Sequence, residues 1–190
     1  MSRVSLFRQR GAAGRFEALL RPHVEHLYRL AWRFTGNDAD AEDLVQDVLL
    51  KLYPRTAELA AVEVLRPWLA RVLYRHYVDT VRERARQPAI EAASGDEDPL
   101  AQVPSDAEGP EAHVERMRLQ ARLLQALGRL NPEQRAVVAL HDVEGYTLEE
   151  LEEILEAPLG TLKSRLHRAR AALREALARE PSAVRERVST

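Results

Sequence analysis

The sequence predicts an all-α fold class: two small helical domains joined by a flexible acidic linker. Three observations carry this. Leucine, alanine, arginine and glutamate dominate while aromatics make up only 5% of the chain, a bias toward helix over strand. Apolar residues recur at helical spacing through two long blocks. Between the blocks, Pro88 to Pro110 holds four prolines, two glycines and no basic residue, so it cannot build a core and its like charges keep it extended. The expected division is a tail over 1–15, a first domain over 16–87, a linker over 88–112, a second domain over 113–179 and a tail over 180–190.

In the first block, Phe16, Leu19, Leu20, Val24, Leu27, Leu30, Ala31 and Phe34 share a helical stripe that Gly36-Asn37 ends. Asn37 or Asp38 can cap the next helix, Ala39 to Tyr53, with Asp40 and Glu42 favourable in its first turn. Pro54 closes it. A third helix starts near Arg66-Pro67, where proline suits a first turn, and runs to about Arg86.

In the second block, His113 to Leu130 reads as one helix. Asn131-Pro132-Glu133-Gln134 is a start signal with a cap, a first-turn proline and a capping-box glutamine, and its helix ends near Gly145. Thr147-Leu148-Glu149-Glu150 is a second capping box, opening a short helix to Leu155. Glu156-Ala157-Pro158 is a turn, and the last helix runs from Leu159 to Ala178.

Composition excludes several classes of function. The 190 residues include no cysteine, so disulfides and thiolate metal sites are ruled out. No stretch is apolar enough to span a membrane, and Met1 to Arg10 lacks an apolar signal core, so a cytoplasmic location is expected. No Gly-rich phosphate loop and no nucleophile–base arrangement is visible, so neither a cofactor nor catalysis is expected. His23 and His26 are spaced to share a helix face, but without a third ligand they read as a surface pair rather than a metal site.

The formal net charge of −2 hides a segregation of charge. Asp142 to Glu156 is purely acidic; Leu159 to Arg174 is purely basic, with Lys163, Arg165, Arg168, Arg170 and Arg174. A short helix, a tight turn and a longer basic helix form a helix-turn-helix pattern. At about 100° per residue, Leu162, Leu166, Ala169 and Leu173 form the buried stripe of the last helix. Thr161, Lys163, Ser164, Arg165, His167 and Arg168 lie outside it and offer groups that reach phosphates and base edges. Pro158 and Gly160 leave the helix N-terminus open to a phosphate.

Val143 to Thr147, followed by Pro158-Leu159-Gly160-Thr161-Leu162-Lys163-Ser164-Arg165-Leu166-His167-Arg168-Ala169-Arg170, closely resembles region 4 of the extracytoplasmic-function sigma factors. Leu130 to Arg135 fits the start of the same region. The resemblance implies that this domain reads the minus-thirty-five promoter element and places Lys163, Ser164 and Arg168 at recognition positions. Asp38 to Tyr53 is similar to region 2 of the same family, which docks on the clamp helices of RNA polymerase core. Here Leu44, Val45, Val48, Leu49 and Leu52 form one apolar arc, and Asp43, Gln46, Asp47 and Leu50 lie opposite. With Asp40, that acidic face is the expected polymerase contact.

Arg66 to Arg82 looks like the family's promoter-melting segment. It implies that Arg71, Arg75, Arg82 and Arg86 follow the phosphates of one strand at the minus-ten element. Tyr74 and Tyr77 are expected to stack on unpaired bases. Trp68 reads as a core residue. The implied partners are RNA polymerase core (clamp helices and flap), promoter DNA and an anti-sigma factor.

The chain departs from the family pattern in four places. Glu152 stands where a small residue is usual and is expected to snorkel outward or pair with an arginine. Glu156 stands where glycine is common. Both bring negative charge near the DNA-facing helix and predict weaker promoter affinity. Arg75 replaces a common asparagine, and Pro54 to Val64 lacks the aromatic and glycine expected of a base-capturing loop. The main expectation is an alternative sigma factor. Two other readings stay open: a sigma-like decoy for an anti-sigma factor, which Glu152, Glu156 and the altered loop favour, and an ordinary helix-turn-helix repressor, which leaves the acidic helix unexplained.

Overall fold

The computed structural model describes residues 3–86 and 122–178, with side chains from residue 11 onward apart from residue 12. The expected linker, most of the helix expected over His113 to Leu130 and the C-terminal tail lie outside these residues. All regular elements among the described residues are helical: α1 (Arg3–Thr35), α2 (Asp38–Leu52), α3 (Thr56–Ala60), α4 (Leu65–Arg86), α5 (described over 122–128), α6 (Pro132–Val138), α7 (Leu148–Leu155) and α8 (Leu159–Ala178). A short 3-10 turn, Tyr53–Arg55, joins α2 to α3, and a π turn, Ala139–Val143, continues α6.

Local chemistry sets the boundaries. Gly36, at φ 83°, takes the left-handed position that ends α1. Asn37 then caps α2, its side chain accepting from the Asp40 amide at 2.8 Å. Both expected capping boxes form: Asn131 with Gln134 at α6, and Thr147 with Glu150 at α7. The helix α1 begins at Arg3, well before the expected Phe16. A helical turn, α3, occupies part of Pro54 to Val64, where a loop was expected.

The apolar stripes predicted for α2 and α8 face the core, with Leu49 and Leu173 at their margins partly buried. Val48, Leu52, Leu162 and Ala169 are wholly or almost wholly shielded. Each buried leucine contributes about 1.5–3 kcal/mol. Val24 is a correction: it was expected in the α1 core stripe but is exposed.

The two helical units do not stand apart. Buried residues of both form one continuous core, running from Leu20 to Tyr77 and from Leu130 to Ala169. The α4 helix packs on α7 and α6, while α1 packs on α6 and the π turn. Arg135 ties the junction together. Its guanidinium donates to the carbonyls of Phe34 (2.8 Å) and Thr35 at the end of α1, and to those of Leu127 (3.1 Å) and Gly128 (3.0 Å). One cation thus satisfies the orphan carbonyls of two helix ends.

Candidate polymerase and nucleic-acid interfaces

The α8 face splits in two. Lys163, Ser164, His167 and Arg168 are exposed. Arg168 folds back along its own helix, its Nε donating to the Ser164 carbonyl at 3.2 Å. Thr161 and Arg165 face elsewhere: they line a cleft of about 480 Å³ shared with α4 residues Tyr74, Arg75 and Arg82. Arg165 pairs there with Glu133 at 2.5 Å.

Glu152 is exposed, as expected, and its carboxylate finds a backbone partner rather than an arginine. Its carboxylate accepts from the Leu159 amide at 2.6 Å and so caps α8 from within. This corrects the expectation of an open helix N-terminus, because one of the first-turn N–H groups is already satisfied by an internal anion. The neighbouring departure, Glu156, ends α7 in the left-handed conformation (φ 50°, ψ 46°). Its carboxylate accepts from Arg71, with Nε at 3.0 Å, and from Arg75. Arg75 and Arg71 together hold that carboxyl below the usual glutamate range.

Along α4, Arg75, Arg82 and Arg86 are exposed and Arg71 is half-buried. The two tyrosines are corrections. Tyr74 and Tyr77 are only 7% and 5% exposed. Tyr77 stacks on Phe34 at 5.2 Å between centroids, and Tyr74 meets Phe34 edge-on at 6.2 Å. With their faces in the core, neither ring is available to stack on a base in this arrangement. Burial accordingly raises both phenol pKa values. Trp68 packs partly buried against the core, in line with its expected role.

On α2, Asp43, Gln46 and Asp47 are exposed, and Leu50 is 65% exposed. Asp40 is less free. Arg84 holds it at 2.6 Å and, with Asn37, keeps its carboxyl below the usual range. His76 bridges the face to α4, with Nδ1 2.8 Å from Lys51 and Nε2 3.2 Å from Asp47. Beside this acidic face lies an apolar groove of about 820 Å³, lined by Phe16, Val24, Leu49, Leu50 and Tyr53. Helical periodicity could not find it, because it arises where α1, α2 and the turn after α2 meet.

His26 overturns the reading of a surface histidine pair. It is buried, with Nδ1 3.3 Å from Glu144. The Glu144 side chain is itself only 6% exposed and also accepts from Arg33 and from Arg66, the latter at 2.9 Å. A carboxylate from the second unit is therefore held by three groups of the first. Among the described residues no group of acids and histidines is arranged to hold a metal ion.

Two family models match in this order: the sigma-70 region 2 model over residues 19–87 and the sigma-70 region 4 model over residues 120–173. The chain is 39% identical over 167 residues to the ECF RNA polymerase sigma factor SigE of Mycolicibacterium smegmatis, covering 88% of this chain but 63% of that protein. It is 35% identical to the RNA polymerase sigma-E factor of Streptomyces avermitilis, covering 85% of this chain and 84% of that one.

The chain belongs to the extracytoplasmic-function sigma factors.

The fold agrees. The Bartonella quintana sigma factor RpoE, solved with the anti-sigma factor NepR, superimposes with a TM-score of 0.65 at 24% identity, covering 87% of this chain and 98% of that one. CnrH, solved with the cytosolic domain of CnrY, gives 0.57 at 22% identity, covering 91% and 98%. The family comprises DNA-binding initiation factors rather than enzymes. The sigma factor carries both regions in family order, which speaks against the decoy and repressor readings. Among the described residues no helix is long and apolar enough to cross a membrane.

Proposed function

We propose that this sigma factor recruits RNA polymerase core to a two-part promoter. In this reading the acidic α2 face (Asp43, Gln46, Asp47 and Leu50, flanked by Asp40) and the apolar groove beside it dock on the polymerase clamp helices. The second unit contacts the flap. Arg71, Arg75, Arg82 and Arg86 on α4 follow the phosphates of the melted minus-ten strand. On α8, Lys163, Ser164, His167 and Arg168 read the minus-thirty-five element, joined by Thr161 and Arg165 when the cleft opens. The work is done in the cytoplasm, and an anti-sigma factor holds the protein in reserve; the structural neighbour RpoE was solved in complex with an anti-sigma factor, NepR.

The observation that carries this reading is the pairing of two family regions with two exposed faces of suitable charge: an acidic one on α2 and a basic one on α8. The test is run-off transcription with purified core polymerase on a promoter library. Added sigma factor is expected to select a subset of sequences. No binding to core and no change in transcription from any sequence overturns the reading.

A further inference from the structure

We infer that Glu156 is a latch: in the free protein it holds the second helical unit against α4 by occupying the same guanidinium groups, Arg71 and Arg75, that DNA must engage. The inference rests on the reading of α4 as a DNA-facing helix and extends it.

Three observations converge. The first is backbone conformation. Among the described residues Glu156 alone is a non-glycine residue with positive φ. A residue with a Cβ is disfavoured there, and a persistent outlier points to a function for its side chain. The second is where that side chain goes. It crosses from the turn between α7 and α8 to the other unit and accepts from both arginines. The third is that the other inter-unit ties are built differently. Glu144 is buried among His26, Arg33 and Arg66, and Arg135 grips backbone carbonyls. These ties use no residue assigned to DNA. Among the described residues, Glu156 is the carboxylate of the second unit that engages the α4 arginines assigned to DNA, Arg71 and Arg75.

The geometry makes binding and closure exclusive. A phosphate approaching Arg71 and Arg75 needs the donors that Glu156 occupies, and both are charge-assisted contacts of the same kind. The closed arrangement also turns Thr161 and Arg165 toward α4 and into the shared cleft. Opening therefore frees parts of both DNA-facing surfaces. The apparent affinity of the free protein is reduced by the fraction of time spent open, and weakening the latch removes that reduction.

The test uses the full chain, whose lack of cysteine allows labels at two introduced sites. Ala60→Cys and Ala172→Cys are on exposed positions of α3 and α8. Energy transfer between them reports separation of the units, and oligo(dT) titration reports the α4 face. Glu156→Gly suits the left-handed backbone and keeps the turn, while Glu156→Gln keeps the shape and loses the charge. Both are expected to lower transfer and to tighten oligo(dT) binding, by about 2- to 5-fold for the glycine variant, since the pairs it breaks are solvent-exposed. Glu153→Gln, on the exposed face of α7, makes the same charge change and is expected to do neither.

Unchanged transfer in both Glu156 variants, or equal tightening in Glu153→Gln, overturns the latch. If transcription with core polymerase persists in that case, the proposed function stands without it. Opening without tighter oligo(dT) binding overturns both the latch and the assignment of α4 as the DNA face.

Discussion

Glu144→Gln tests whether burial sets the strength of the inter-unit junction. The substitution keeps the side chain's shape but removes the charge that His26, Arg33 and Arg66 share. Removing one partner of a fully buried ion pair costs about 3–5 kcal/mol, because the other charge is left uncompensated. Arg66 is 55% exposed and Arg33 20%, so water recovers part of that loss. A cost of about 2–3 kcal/mol follows. For a chain of this size each kcal/mol shifts Tm by about 2–4 °C, so a fall of about 4–12 °C is expected in calorimetry. The loss is concentrated between the units, so the calorimetric transition is also expected to broaden or split. Asp142→Asn is the internal control. Asp142 pairs with Arg170 within the second unit, its carboxylate 28% exposed against 6% for Glu144, and its loss is expected to cost less than about 1 kcal/mol. If Glu144→Gln lies within about 0.5 kcal/mol of the wild type, or Asp142→Asn costs as much, the ranking by burial is refuted.

Burial, helped by the charges of Arg66, Arg29 and Arg33, lowers the pKa of His26 from 6.5 against the pull of Glu144. The folded state therefore binds fewer protons than the unfolded one between the two values, and stability is lost as pH falls below 6.5 toward the folded value. Thermal scans between about pH 7 and 5 should show a shallower decline for His26→Gln than for the wild type; parallel curves sink the argument. Thr147→Ala removes the cap that opens α7 and is expected to cost about 1 kcal/mol, read as a fall in urea midpoint at unchanged slope. Arg168→Ala is expected to weaken duplex promoter binding and to reduce the slope of log affinity against log salt by about one if it neutralises a phosphate; an unchanged slope assigns it to base contact or to none.

Much of the fold was legible because its determinants are local. The caps at Asn37, Asn131 and Thr147 act within three residues of themselves. The stripe of Leu162, Leu166 and Ala169 needs only the helical period to declare itself, and so does the exposed set of Asp43, Gln46, Asp47 and Leu50. The exposed acidic face of α2 and the exposed basic face of α8 were readable for the same reason. His26, Tyr74 and Tyr77 were misread because periodicity names a face without naming what covers it. Phe34, from a different helix, covers the tyrosines, and Glu144 from the other unit covers the histidine. The role of Glu152 was hidden for a similar reason, since the Leu159 amide that donates to it lies seven residues on, across the turn.

By itself, then, the sequence determined most of the helices, the capped starts of α2, α6 and α7, and the opposition of an acidic α2 face to a basic α8 face, since each follows from neighbours a turn or less away. Only the tertiary structure decided that the two units share a core and that Arg71 and Arg75 are engaged by Glu156. Those arrangements depend on contacts between residues far apart in the chain, where side-chain shape and charge meet only after the helices have packed.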